Sequence, residues 1–150
     1  MVAAAEVRPG ELVLDIGAGE GALTDHLVRA GARVVAVELD PRRACVLRER
    51  FPGITVLHAD ATAIPLPGRP FRVVANPPYG ISSSLLRMLL APGSRLVAAD
   101  LVLQRAVVRR YAAGGAPGFS LSMGLSLPRR AFLPPPQVDS AVLVIRRRRR

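Results

Sequence analysis

The chain contains no lysine: all 21 of its basic residues are arginine. With the abundance of Ala, Gly, Pro and Val, this reads as a GC-rich coding bias, so the preference for arginine carries little chemistry of its own. Cysteine is nearly missing too. The single Cys45 excludes an internal disulfide and fits a reducing compartment. On a segment read as helical, it is assigned to the core rather than to nucleophilic chemistry. The two histidines, His26 and His58, are far apart and lack a Cys/His ligand spacing, so no metal site is expected. No apolar run approaches the roughly 20 residues of a membrane helix. Met1–Val7 includes Glu6 and has neither a basic leader nor an apolar stretch, which argues against a secretory signal. A cytoplasmic, monomeric globular protein is expected.

What is present supports one folded domain: 150 residues, half of them hydrophobic, with Pro and Gly scattered through the chain. Charge is distributed unevenly. Residues 1–84 hold nine arginines and nine acids, whereas residues 85–150 hold twelve arginines against Asp100 and Asp139 alone. The first half suits a small ligand and the second a polyanion such as nucleic acid. A catalytic domain over residues 1–145 and a basic tail over 146–150 are expected; a merely solvated tail is the plainer alternative.

Short apolar runs alternate with amphipathic stretches, which predicts an α/β fold with a largely parallel sheet. Strands are expected at Glu11–Ile16, Arg33–Leu39, Ile54–His58, Phe71–Ala75 and within Arg95–Leu103. Helices are expected at Ala22–Arg29, from Asp40–Pro41 to Arg50, from a Ser82–Ser84 cap to Leu90, and at Gln104–Ala112. Val138–Ile145 reads as the final strand, preceded by one near Leu125–Phe132 that Pro128 interrupts.

Chemistry gathers at the predicted strand ends. Asp15-Ile16-Gly17-Ala18-Gly19-Glu20-Gly21 follows the first strand, and its glycines let the backbone turn sharply against a ligand. The third glycine comes one residue too early for a dinucleotide fingerprint. The pattern instead resembles motif I of class I methyltransferases, though a structural tight turn would also use it. On that resemblance Glu38, ending the second strand, would accept bonds from ribose hydroxyls of an adenosyl group. Asp60, after the third strand, would accept from the adenine amine, with the Ala61 backbone nearby. Open α/β sheets bring such strand ends to one crevice.

Asn76-Pro77-Pro78-Tyr79, after the fourth strand, matches the (D/N)-P-P-(Y/F/W) signature of methyltransferases acting on amines conjugated to a planar ring. Such an amine is a poor nucleophile because its lone pair is delocalised. The Asn76 side-chain oxygen and the Pro77 carbonyl can accept its two N–H bonds and favour a pyramidal nitrogen. Proline stiffens the loop and adds no competing N–H. Tyr79 can stack on an extruded base.

The runs VVANPPYGISSSLLRMLL, ADLVLQRAVVRRY and FLPPPQVDSAVLVIRRR resemble the rRNA adenine N6-dimethyltransferase family, over essentially Glu11 to Arg149. The likeness is greatest to its Erm branch, which methylates an adenine of large-subunit rRNA and confers macrolide–lincosamide–streptogramin B resistance. The branch that modifies small-subunit rRNA usually has Leu where Pro77 stands. The resemblance implies a Rossmann-like, mostly parallel seven-stranded sheet with an antiparallel final strand, S-adenosyl-L-methionine as cofactor and ribosomal RNA as partner. It implies Asn76, Pro77 and Tyr79 as catalytic residues. Asp15, Gly17, Gly19, Gly21, Glu38, Asp60, Ala61 and Asn76 are the implied cofactor-binding set. Arg105, Arg109 and Arg110, at near-helical spacing, form either a phosphate-facing edge or a solvated face.

Family members usually begin with a helical segment that closes over the methionine end of the cofactor, and continue into a helical domain that grips RNA. Neither pattern is found in this sequence. The expectation is a catalytic crevice without its two covers, slower than its relatives. A small-subunit rRNA target and a non-catalytic RNA-binding protein stay open as alternatives.

Overall fold

The computed structural model describes residues 1–132 and 134–149. The chain runs through α1 (Val2–Ala5), β1 (Leu12–Ile16), α2 (Ala22–Arg29), β2 (Arg33–Glu38), α3 (Pro41–Arg50), β3 (Thr55–His58) and β4 (Phe71–Ala75). It continues through α4 (Ser82–Leu89), β5 (Leu96–Gln104), α5 (Arg105–Gly114), β6 (Phe119–Leu127) and β7 (Ser140–Arg147). The strands form one seven-stranded sheet in the order β3-β2-β1-β4-β5-β7-β6. Neighbours are parallel from β3 to β5, and β7 is antiparallel to both β5 and β6. The expected fold is the observed one.

The inner parallel strands β1, β4 and β5 are largely buried, which is why they read as continuous apolar runs, whereas β3 at the edge is mostly exposed. Alternation along β1 sends Val13 to one side, with Ala5 of α1 and Leu27 of α2, and Leu14 to the other. The second side holds the larger core, in which Leu85, Leu86 and Leu89 of α4 and Val108 of α5 cover β4, β5 and β7. Leu47 of α3 and Phe51 close over Ala36 on the first side. Asp40 caps α3 as its sequence suggests, its side chain accepting from the Arg42 N–H at 2.8 Å, with Pro41 opening the helix.

Several expectations are corrected. A four-residue helix precedes β1, and Glu6 leaves it with φ 55°. Ser82 does not cap α4: Ile81 is the cap residue, and the Ser82 hydroxyl donates to the Tyr79 carbonyl at 2.9 Å. The strand before the last lies at Phe119–Leu127, upstream of the expected Leu125–Phe132, because Pro128 stops it. Its Phe-Ser-Leu-Ser-Met alternation is the period-two signal that identifies it. Cys45 is exposed, since Ala44 and Leu47 take the inward face of α3.

The expected 146–150 tail is divided. Arg146 and Arg147 belong to β7, and Arg150 lies outside the described residues. Arg146 forms a two-pronged pair with the buried Asp100, Nη1 to Oδ2 at 3.0 Å and Nη2 to Oδ1 at 3.1 Å. Arg147 donates to the Leu96 and Ser94 carbonyls and stacks on Phe119. These two arginines fasten β7 to β5 and β6 through their side chains, which a solvated tail would not do.

Candidate active site

Strands β1, β2, β3 and β4 all end at one edge of the sheet, and the turns that follow them build a crevice there. After β1 the backbone reverses through Gly17, Gly19 and Gly21, at φ +69°, +61° and +100°, a region side-chain-bearing residues rarely adopt. Gly17 is constrained a second time. A Cβ on it would lie 3.0 Å from Pro78 Cδ and 3.4 Å from Pro77 Cα, so the turn after β1 packs directly on the loop after β4. Gly21 serves α2 as its N-terminal cap residue, and a Cβ there would meet the Phe51 ring at 2.5 Å.

Glu38 is 6% exposed and braces this turn. Its Oε1 accepts from the Gly19 N–H at 2.8 Å and its Oε2 from the Asp40 N–H at 2.9 Å. A carboxylate oxygen has two lone pairs, so each still has acceptor capacity for a ligand hydroxyl. Asp15 is 1% exposed, and the Thr24 hydroxyl donates to its Oδ2 at 2.7 Å. Burial pushes its pKa up from 3.8 to about 6; the Thr24 bond opposes the rise and the Glu38 charge adds to it. Asp60 is exposed, and its Oδ1 accepts from both the Thr62 N–H and hydroxyl. Those two bonds hold its carboxyl below the usual range, so it is ionised at neutral pH.

Gly17, Glu38, Asp60, Ala61, Asn76 and Pro77 line one cavity of about 270 Å³. Asp15, Gly19 and Gly21 stand outside that lining and act through the hydrogen bonds and packing just described. Leu39, expected only as the end of the second strand, also lines it and is 65% exposed, offering an apolar surface beside Glu38 and Asp60. The one available signal was an apolar residue placed between a strand-end acid and a helix cap.

Asn76, Pro77 and Pro78 also line a second cavity, of about 240 Å³, completed by Tyr79, Phe132, Pro134 and Pro136. The loop after β4 is thus a partition with a hollow on each side. Its Asn76 is exposed and its Pro77 buried. Tyr79 opens a 3-10 turn over Tyr79–Ile81, and its hydroxyl is hydrogen-bonded to the buried Ser140 hydroxyl at the start of β7. Phe132 and Ser140 had no separate signal in the sequence, because only the return of the chain from β6 to β7 brings them to Tyr79.

Arg105 opens α5 at the same edge, its N–H donating to the Asp139 carbonyl at 3.0 Å. Arg109 and Arg110 are exposed, the latter over the Tyr111 ring, while Arg105 is half-buried with Nε lacking a hydrogen-bond partner among the described residues. Other hollows lie at the opposite edge of the sheet, lined in part by Arg33, Arg69, Arg95 and Arg147; they share no residue with the two above.

The chain is similar to known proteins in sequence and in fold. The family described as ribosomal RNA adenine dimethylase matches residues 1–150. A ribosomal RNA small subunit methyltransferase A from Leptothrix cholodnii is 36% identical over 156 residues, covering 91% of this chain and 57% of that protein. The mycinamicin-resistance protein MyrB from Micromonospora griseorubida is 37% identical over 145 residues, covering 91% of this chain and 47% of MyrB. The crystal structure of the 23S rRNA methyltransferase ErmE superposes with a TM-score of 0.87 at 34% identity, covering 97% of this chain and 65% of that one. The chain therefore spans less than two thirds of the length of these relatives. No helix among the described residues is long and apolar enough to cross a membrane. The chain belongs to the ribosomal RNA adenine dimethylase family.

Proposed function

We propose that this chain carries the catalytic core of an S-adenosyl-L-methionine-dependent methyltransferase acting on N6 of an adenine in ribosomal RNA. The observation that carries the reading is the partition: Asn76, Pro77 and Pro78 stand between a hollow lined by Glu38 and Asp60 and one lined by Tyr79 and Phe132. A methyl donor on the first side and a planar base on the second meet across these residues.

The first hollow suits an adenosyl group. Glu38 retains one acceptor position on each oxygen for ribose hydroxyls, Asp60 keeps an ionised carboxylate for the adenine amine, and Leu39 gives the ring an apolar surface. Asp15 places a buried carboxylate behind the glycine turn, favouring a ligand that carries positive charge. When bound, S-adenosyl-L-methionine supplies an electrophilic methyl group on a sulfonium. On the other side the Asn76 oxygen and the Pro77 carbonyl accept the two N–H bonds of the base amine and turn its lone pair towards the methyl group. Tyr79 and Phe132 offer faces to an extruded base, each stack worth about 1–3 kcal/mol. No residue of the hollow would need to act as a strong base, because the amine held by Asn76 and Pro77 would give its proton to water after the methyl group is transferred and the donor is left as a neutral thioether.

For the target we propose an adenine of 23S rRNA, with macrolide–lincosamide–streptogramin B resistance as the consequence. Pro77 and the similarity to MyrB and ErmE support this reading. A 16S target is the second reading, favoured by the similarity to small subunit methyltransferase A proteins. Arg109 and Arg110, with Arg105 beside the crevice, would meet RNA phosphates. Action on ribosomal RNA would place the protein in the cytoplasm, where we take it to work as a monomer. Incubation with 23S and 16S rRNA and a labelled methyl donor, followed by mapping of the label, tests the assignment. Label confined to one 23S adenine supports it; label confined to 16S rRNA selects the second reading, and no label on either removes both.

A further inference from the structure

The β6–β7 connection returns to the loop after β4 at one dipeptide, Asp139-Ser140. The Asp139 carbonyl accepts from the Arg105 N–H, and its Oδ1 accepts from the Arg129 N–H at 3.1 Å. Arg129 opens the turn Arg129–Ala131 that delivers Phe132 to the second hollow. Ser140 is fully buried, and its backbone is fixed on both sides, by register with Gln104 of β5 and Leu127 of β6. Its hydroxyl meets the Tyr79 hydroxyl. The same two residues therefore fix the far end of the Tyr79 ring and the turn that carries Phe132.

We propose that Ser140 is a positioning residue for the target base, acting through the Tyr79 hydroxyl to hold that ring at a fixed angle and spacing from Phe132. The inference rests on the reading of the Tyr79–Phe132 hollow as a base pocket. A tyrosine needs no hydroxyl to stack. In this site the hydroxyl has a different use, tying a ring on a short 3-10 turn to the start of β7, a strand paired on both sides. A free ring would sample several orientations, and each nonproductive one reduces the fraction of captured bases whose amine reaches Asn76.

The test compares Ser140→Ala, Tyr79→Phe and the double variant in methyl transfer to rRNA, with S-adenosylhomocysteine affinity measured alongside. Each single variant is expected to lose roughly three- to tenfold in kcat/KM for RNA, the range of one hydrogen bond, with unchanged cofactor affinity. The double variant should lose no more than the worse single one, because both remove the same bond. Ser140→Thr, which restores a hydroxyl, should recover most of the loss. The chain has only two tyrosines and no tryptophan, so the Tyr79 ring signals are assignable by NMR against Tyr79→Phe. They should move in Ser140→Ala while the Tyr111 signals stay. Full activity in Ser140→Ala, multiplicative losses in the double variant, or an unmoved Tyr79 ring would each overturn the proposal. Asn76→Ala separates the two levels. If it is fully active the site reading itself fails, whereas an inactive Asn76→Ala beside a fully active Ser140→Ala rejects only the role of Ser140.

Discussion

Asp15→Asn should make the protein more stable and a poorer cofactor binder at once. The buried Asp15 carboxyl titrates near 6 in the folded chain against 3.8 when free. A raised carboxylate pKa means that the folded state holds the proton more tightly than the unfolded state, so stability falls as pH rises from about 4 to about 6 and is level above. At about 1.4 kcal/mol per pKa unit, ionising Asp15 costs the fold at most roughly 3 kcal/mol at neutral pH. Asparagine removes the charge and still accepts from the Thr24 hydroxyl, while its buried amide N–H₂ takes back part of the gain. The net expectation is a gain of about 1–2 kcal/mol at pH 8, or roughly 2–8 °C in melting temperature for a domain of this size. The gain should vanish near pH 4. Melting curves at pH 8, 6 and 4 measure it. Titration with S-adenosylmethionine should show the opposite sign: wild-type affinity rising through pH 6 as Asp15 ionises, and Asp15→Asn weaker at pH 8 with that rise flattened. A variant that is less stable at pH 8, or whose stability difference is the same at every pH, refutes the reasoning.

Glu38→Gln presents an amide N–H₂ to the Gly19 or Asp40 N–H, donor against donor, so urea denaturation should show a loss of about 1–3 kcal/mol, with weaker S-adenosylhomocysteine binding in calorimetry. Gly17→Ala places a Cβ at a left-handed φ and 3.0 Å from Pro78, and should cost about 1–2 kcal/mol of stability. Methyl transfer should fall further than that stability loss explains, since the turn leans on the Asn76 loop. RNA affinity should fall steeply with salt, and Arg109→Ala with Arg110→Ala should flatten the log–log slope by about 1.5, as two lost phosphate contacts require. Deleting residues 146–150 is a poor probe of the same question, because Arg146 holds Asp100 and Arg147 holds the start of β5.

Local features were legible in the sequence where local chemistry decides them. Apolar runs and the Asp40-Pro41 cap place α3 and the parallel strands within a residue or two, and residues of the strand-end motifs line one hollow. Features set by distant segments were not. The sequence marks Glu38 only as a ligand acceptor, yet its first partners are the N–H groups of Gly19 and Asp40, which only the folded turn brings to it. Gly21 belongs to the same motif as Gly17 but is explained by Phe51, thirty residues on. Phe132 and Ser140 meet Tyr79 across more than fifty residues, a pairing no periodicity encodes. The displaced β6 is different: its period-two alternation from Phe119 to Met123 is present in the sequence, and Pro128 bounds it.

The central claim is that Asn76 and its neighbours form a partition across which a methyl group reaches an adenine amine. Transfer from labelled S-adenosyl-L-methionine to rRNA, followed by nucleoside analysis, tests it most directly when wild type and Asn76→Ala are run together with a cofactor titration of each. The account predicts label on N6 of adenine in the wild type. It predicts a loss of transfer on the order of 100-fold in Asn76→Ala, where the amine is no longer held in line, with cofactor affinity unchanged. Label on another atom of the base, or a wild-type rate in Asn76→Ala, would contradict it.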